Sequence, residues 1–254
     1  MIFREVLQKY GIKGVEINST SNIPSGTGLG SSSTFSVGLI NAVRTMKGEV
    51  VTKQILAEEA CDIEINRLEG PIGKQDQYAA AFGGLNFIKF NKDDTVDVEP
   101  IMISSEEKQR MSDNLLMFYL GGTRSASKVL KQYNDNTTDT ASKKNKLSEM
   151  AIRLRDELNS GNIDYLGKAL DDGWKIKKLL SNEISNSIID DVYETAISNG
   201  ASGGKLLGAG GNGFMLFYVE KDNQKSVRES LSNLREMHFN LDETGSQVVF
   251  NDNQ

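Results

Sequence analysis

Apolar side chains recur at Phe35, Leu39, Val43 and Met46, a period that predicts a helix directly behind a run of glycines and serines. A second helix is predicted over 52–68, with Thr52 as its N-cap and Gly70-Pro71 beyond its end. Projected at about 100° per residue, Leu56, Ala57, Ala60, Cys61, Ile63 and Leu68 form one apolar stripe, with Glu64 near its middle. Glu58, Glu59 and Asp62 fall outside it. A carboxylate on a buried face is costly unless it is paired or binds a metal. Glu64 therefore predicts either an ion pair with Arg67, one turn on, or a Mg²⁺ ligand.

Elsewhere the pattern predicts strands at 15–19, 85–90 and 96–101, the last two joined by a turn at 91–94. After Ile101 the composition turns to Ser, Glu, Lys and Gln, which places a boundary within 104–112 and domains at 1–108 and 109–254. The second half predicts strands at 115–120, 214–219 and 247–250. Helices are predicted near 127–133, 147–158, 163–180, 188–198 and 223–236, with a polar loop over 134–146. The pattern is that of an α+β protein in two domains.

Composition narrows the function classes. In 254 residues, 29 basic against 35 acidic side chains give a net charge of −6 without long blocks, which argues against nucleic acid or an anionic membrane as partner. The single cysteine, Cys61, excludes an internal disulfide, and the single histidine, His238, excludes a His-based metal site. The first residues lack the apolar core of a signal peptide, and the longest apolar run, 115–120, is too short to span a bilayer, so a cytoplasmic setting is expected.

The chemistry concentrates in Pro24-Ser25-Gly26-Thr27-Gly28-Leu29-Gly30-Ser31-Ser32-Ser33. Alternating glycines bring backbone close to a ligand, and the serines open a helix whose unpaired N–H groups and dipole favour an anion. The stretch reads as a phosphate cradle, or else as a glycine-rich turn with a Ser N-cap. It lacks the Lys of a Walker loop and the dinucleotide-binding glycine spacing. Asp76, at the start of a short Ala-rich helix after Gly70-Pro71-Ile72-Gly73-Lys74-Gln75, is an N-cap or a general base. A second glycine-rich run, 203–213, leads into a strand and contains Lys205, Gly208, Gly210 and Gly211, as a tight strand entry or a second ligand loop. Phosphoryl transfer would use the loop from Gly26 to Ser33 for a triphosphate, Ser32 and Glu64 for Mg²⁺, Asp76 as base and Lys74 or Lys205 for charge.

Pro24 to Ser33 and 208–213 resemble the second and third motifs of the GHMP kinases, the family of galactokinase, homoserine kinase and mevalonate kinase. Asn212 stands where many members have Gly. The resemblance implies ATP and Mg²⁺ as cofactors, Ser32 and Glu64 as metal ligands, and Asp76 as base. It also implies a ribosomal-protein-S5-like amino-terminal domain and a ferredoxin-like carboxy-terminal one. The family's first motif, of the type Gly-Gly-Gly-Thr-Asp, has no counterpart here, so the amino-terminal domain is expected to lack its first strands.

Within the family, 71–84, Gly-Gly-Thr-Arg at 121–124 and Gly-Gly-Lys at 203–205 resemble D-glycero-D-manno-heptose 7-phosphate kinases. That implies phosphorylation of the anomeric hydroxyl to the 1,7-bisphosphate in surface-polysaccharide synthesis. Arg124, Lys175, Lys178 and Lys205 are then candidates to hold the substrate's phosphate, with a solvated basic helix face as the alternative for 175–178. A kinase for fucose or galactose, or a binding remnant without turnover, remains the alternative. The expected partner is a small-molecule sugar phosphate, with room for a homodimer.

Overall fold

The computed structural model describes residues 1–122 and 138–252, in two compact units. One comprises Met1–Ser25, Gly30–Glu99 and Leu241–Gln254; the other comprises Gly26–Leu29 and Pro100–Asn240. This division differs from 1–108 and 109–254 at both ends. The polar stretch after Ile101 is a helix, opened by Ser104 and Glu107 as a reciprocal capping box and anchored by the buried Met111. At the other end, Gly84 N–H donates to the Asp242 carbonyl at 2.6 Å, which ties the last segment to the first unit.

The first unit is mainly helical. It contains α1 (Ile2–Tyr10), α2 (Ser31–Met46), α3 (Lys53–Cys61) and α4 (Gln75–Phe82), followed by β1 (Asn86–Phe90) paired with β2 (Val96–Pro100). Val6, Val37, Ile40, Leu56, Ala60, Ile63 and Tyr78 form its core. α2 buries Ser33, Ser36, Val37, Leu39, Ile40 and Val43, while Met46, expected on that face, is 44% exposed. Thr52 caps α3 as expected, its side chain accepting from Ile55 N–H at 3.2 Å. The helix predicted over 52–68 does not stay α. From Asp62 to Arg67 it widens into a π-helical turn, and Leu68 N–H reaches the Ile63 carbonyl at 3.1 Å.

The segments 15–19 and 247–250, expected as strands, form none. Alternating sequence makes a strand only beside a partner that completes its ladder, and among the described residues no ladder includes either segment. Val15 and Ile17 are accordingly exposed.

The second unit is a four-stranded antiparallel sheet with helices. Its elements are α5 (Ser105–Asp113), β3 (Leu115–Tyr119), α6 (Thr138–Asn159), α7 (Tyr165–Lys178), α8 (Ser187–Ser198), β4 (Gly203–Leu206), β5 (Phe214–Tyr218), α9 (Gln224–Ser230) and β6 (Arg235–Glu236). The strand order is β4-β5-β3-β6, with Met117 opposite Leu216 and Lys205 opposite Leu216 on the other side. α6 begins at Thr138, within the span expected as loop, and the helix expected near 127–133 lies outside the described residues. The helix expected over 223–236 ends at Ser230, and Arg235–Glu236 pairs with β3. Phe118, Trp174, Leu206, Met215 and Phe217 lie in the core. α7 lies backbone to backbone on β4: a Cβ at Gly203 would come within 1.9 Å of the Gly167 carbonyl oxygen. No helix among the described residues is long and apolar enough to cross a membrane.

Candidate functional site

In the first unit the site is built on the start of α2. Its N-cap is Gly30, which makes no side-chain cap, so no serine caps the helix. No acid of the helix itself occupies its first turn. Ser33 is buried, Ser31 half-buried and Ser32 exposed, so of the three hydroxyls that of Ser32 is best exposed for a ligand. Gly30 has φ 65 and lies against Asp76: a Cβ there would be 3.3 Å from both Cβ and Cγ of Asp76.

Asp76 is the second residue of α4, whose cap position is Lys74 without a side-chain bond; the N-cap reading of Asp76 fails. Burial, reinforced by the negative charge of Glu64, raises the Asp76 pKa above the ordinary carboxylate value.

Glu64 sits on the π turn, 5% exposed. Its expected ion pair does not form, because Arg67 Nε binds Asp62 Oδ2 at 3.1 Å, and Asp62 also accepts from Lys9. Gln77 instead donates from Nε2 to Glu64 Oε2 at 2.8 Å. Gln77 is itself fully buried, and its Oε1 has no hydrogen-bond partner among the described residues. A buried carboxylate held by an amide, with no cation paired to it among the described residues, suits a hard divalent ion. No group of three His, Cys, Asp or Glu side chains clusters among the described residues, so other ligands of Mg²⁺ would be hydroxyl, phosphate and water oxygens. Lys74, a candidate for charge, is bound to the carboxylate and the carbonyl oxygen of Asp94.

In the second unit the two glycine-rich segments touch. A Cβ at Gly28 would lie 2.6 Å from the Leu207 carbonyl oxygen, and one at Gly208 would lie 2.4 Å from Gly28 Cα. Both residues have positive φ, so only glycine fits this approach. Gly213 backs onto the buried Thr27, Gly210 onto Ile184, and Gly211 N–H donates to the Ile184 carbonyl at 3.0 Å. Gly26 and Leu29 belong to this unit and Pro24 to the other.

The cations separate into engaged and unengaged. Lys175 pairs with Asp171 at 2.7 Å; Lys178 pairs with Asp190 at 2.9 Å and lies over the Trp174 and Tyr193 rings. Arg124 lies outside the described residues. Lys205, on β4, has no carboxylate partner among the described residues, and burial lowers its pKa. Lys177, whose role the sequence pattern did not mark, donates to the Gly208 carbonyl at 2.6 Å. Burial, then repulsion from Lys205, lowers its pKa to about 7. The legible signal was its position three residues after Trp174, toward the buried side of α7.

Comparison with known proteins matches these two regions. The sequence description "GHMP kinases N terminal domain" fits residues 1–84, and "GHMP kinases C terminal" fits 154–236. The D-glycero-alpha-D-manno-heptose 7-phosphate kinase of Campylobacter jejuni is 32% identical over 91% of this chain and 69% of its own length. A galactokinase of Pyrococcus furiosus is 26% identical over 89% and 70%. The crystal structure of a D-glycero-D-manno-heptose 1-phosphate kinase from Bacteroides thetaiotaomicron superposes with a TM-score of 0.71 at 25% identity, covering 96% of this chain and 71% of that one.

Proposed function

Because the chain belongs to the GHMP kinases, a family of ATP-dependent phosphotransferases, we propose that it transfers the γ-phosphoryl group of ATP to the anomeric hydroxyl of D-glycero-D-manno-heptose 7-phosphate. The observation that carries the reading is Gly30 set against Asp76 at the start of α2, with burial, and then the charge of Glu64, raising the pKa of that aspartate. A helix start meant for phosphate oxygens and a carboxylate suited to proton transfer thereby share one backbone junction. The Campylobacter jejuni relative supports the choice of sugar.

In this reading the N–H groups of Ser31 to Ser33, at the start of α2, bind phosphate oxygens of the nucleotide. Ser32 and Glu64 would hold Mg²⁺, which when bound neutralises charge on the phosphates being separated. Gln77 keeps the Glu64 carboxylate in one orientation. Asp76 accepts the hydroxyl proton as the oxygen attacks phosphorus. Its raised pKa, set first by burial and then by the charge of Glu64, makes it a stronger base than an ordinary aspartate.

A coupled assay with ATP and a panel of heptose 7-phosphate, galactose and fucose tests the proposal, with ³¹P NMR locating the new phosphate at the anomeric carbon. Turnover confined to galactose or fucose would replace the sugar. Nucleotide binding without turnover on any member of the panel would refute the kinase reading for this chain.

A further inference from the structure

Four lysines lie on α7, and three of them face acids: Lys168 pairs with Asp172, Lys175 with Asp171 and Lys178 with Asp190. Lys177 differs. Its ammonium points to the Gly208 carbonyl, on the loop whose backbone packs against Gly28. Lys205, three residues before Gly208 on the strand that enters this loop, acts electrostatically on Lys177 and also lacks a carboxylate partner among the described residues. Two ammonium groups with no acid between them among the described residues repel, and each is partly withdrawn from water, so the arrangement costs free energy in the unliganded protein. A dianion placed between them would reverse that cost, turning mutual repulsion into two charge-assisted hydrogen bonds.

We infer that Lys177 and Lys205, at the edge of the Gly208 loop, form an anion site that binds a phosphate monoester through both ammonium groups. Lys175 and Lys178 take no part, because Asp171 and Asp190 already neutralise them. The pKa of Lys177, lowered by burial and then by Lys205, agrees with a cation that has no carboxylate partner among the described residues. The inference rests on the kinase reading only for the source of the phosphate, which is either the acceptor sugar's own group or the end of the nucleotide.

The test reads the wild-type full chain first. Amine acetylation at neutral pH, mapped by mass spectrometry with and without millimolar inorganic phosphate, should show Lys177 and Lys205 protected and Lys175 and Lys178 unchanged. Isothermal titration with inorganic phosphate follows on the variants. Lys177→Met and Lys205→Met should each weaken binding about tenfold, the loss of one charge-assisted bond, while Lys175→Met and Lys178→Met stay within about twofold of wild type. Lys177→Arg keeps the charge and should bind more tightly than Lys177→Met, which separates loss of the site from loss of the fold. Repeating the protection with AMP-PNP assigns the source: protection by the analogue marks the nucleotide's phosphates, and protection by inorganic phosphate alone marks the acceptor's. Unprotected Lys177 and Lys205, or equal protection of Lys175, overturns the site. Protection in a chain without kinase turnover leaves the site standing and removes the kinase reading; turnover with Lys177→Met binding phosphate normally does the opposite.

Discussion

Replacing Glu64 by glutamine separates a metal ligand from a structural carboxylate, because the surroundings of Glu64 make the two roles respond in opposite directions. Glu64 is buried and bonded through Oε2 to Gln77 Nε2 at 2.8 Å, while Gln77 Oε1 has no partner among the described residues. In Glu64→Gln the new amide keeps an oxygen for Gln77 Nε2 and adds N–H groups beside that orphan oxygen. It also removes the desolvation cost of a charge. We expect stability in urea to stay within about 1 kcal/mol of wild type or to rise. Gln77→Leu instead leaves the carboxylate buried without its donor, a loss of roughly 3 kcal/mol. Binding of Mg²⁺ with AMP-PNP should respond the other way, falling about tenfold or more in Glu64→Gln, since a neutral amide is a poor ligand for a hard cation. Urea titrations and AMP-PNP titrations with and without Mg²⁺ read both quantities. If Glu64→Gln unfolds as easily as Gln77→Leu while Mg²⁺-dependent nucleotide binding is unmoved, the carboxylate serves the fold and the metal assignment is refuted.

Asp76→Asn should lower kcat by about 10²–10⁴ while AMP-PNP still binds; unaltered kcat would show that Asp76 is not the base. In the metal-free protein, NMR titration should place the Asp76 carboxyl above an ordinary aspartate, and Glu64→Gln should bring it down by removing the negative charge that contributes to the shift. Gly208→Ala forces a side chain into positive φ and onto Gly28 Cα, so it should cost roughly 1–3 kcal/mol and weaken AMP-PNP binding. Gly38→Ala, inside α2 with nothing within 4 Å, should stabilise by about 0.5–1 kcal/mol; thermal melts compare the two. Burial, then repulsion from Lys205, lowers the Lys177 pKa to about 7 in the folded chain, against about 10.4 for an unperturbed lysine in the unfolded one. Between those values the unfolded chain binds more protons, so stability should rise with pH across that window. Lys177→Met should flatten that rise and be the more stable protein near neutrality, as denaturant titrations at several pH values would show.

What was legible in the chain depended on how far each interaction reaches along it. Thr52 as a cap and the helix behind Gly30 follow from neighbours within one or two turns, and both are present. Ser104 and Glu107 were equally local, yet a shift in average composition masked the capping box and made a helix look like a linker. The π turn at Asp62–Arg67 has no such local mark. It lets the chain keep Ile63 and Glu64 both buried, a demand set by α4 and by Gln77, thirteen residues beyond Glu64. The strands expected at 15–19 and 247–250 failed for the same reason in reverse, since alternation is local but a ladder needs another segment beside it. The basic run on α7 is the sharpest case. In sequence, Lys175, Lys177 and Lys178 are three similar charges on one helix, and only Asp171, four residues before Lys175, pairs with one of them by spacing. Asp190 neutralises Lys178 from twelve residues away, and Gly208 receives Lys177 from thirty-one. That Lys177 has no acid partner among the described residues is therefore a property of the folded second unit, and it makes this part of the helix the candidate anion site.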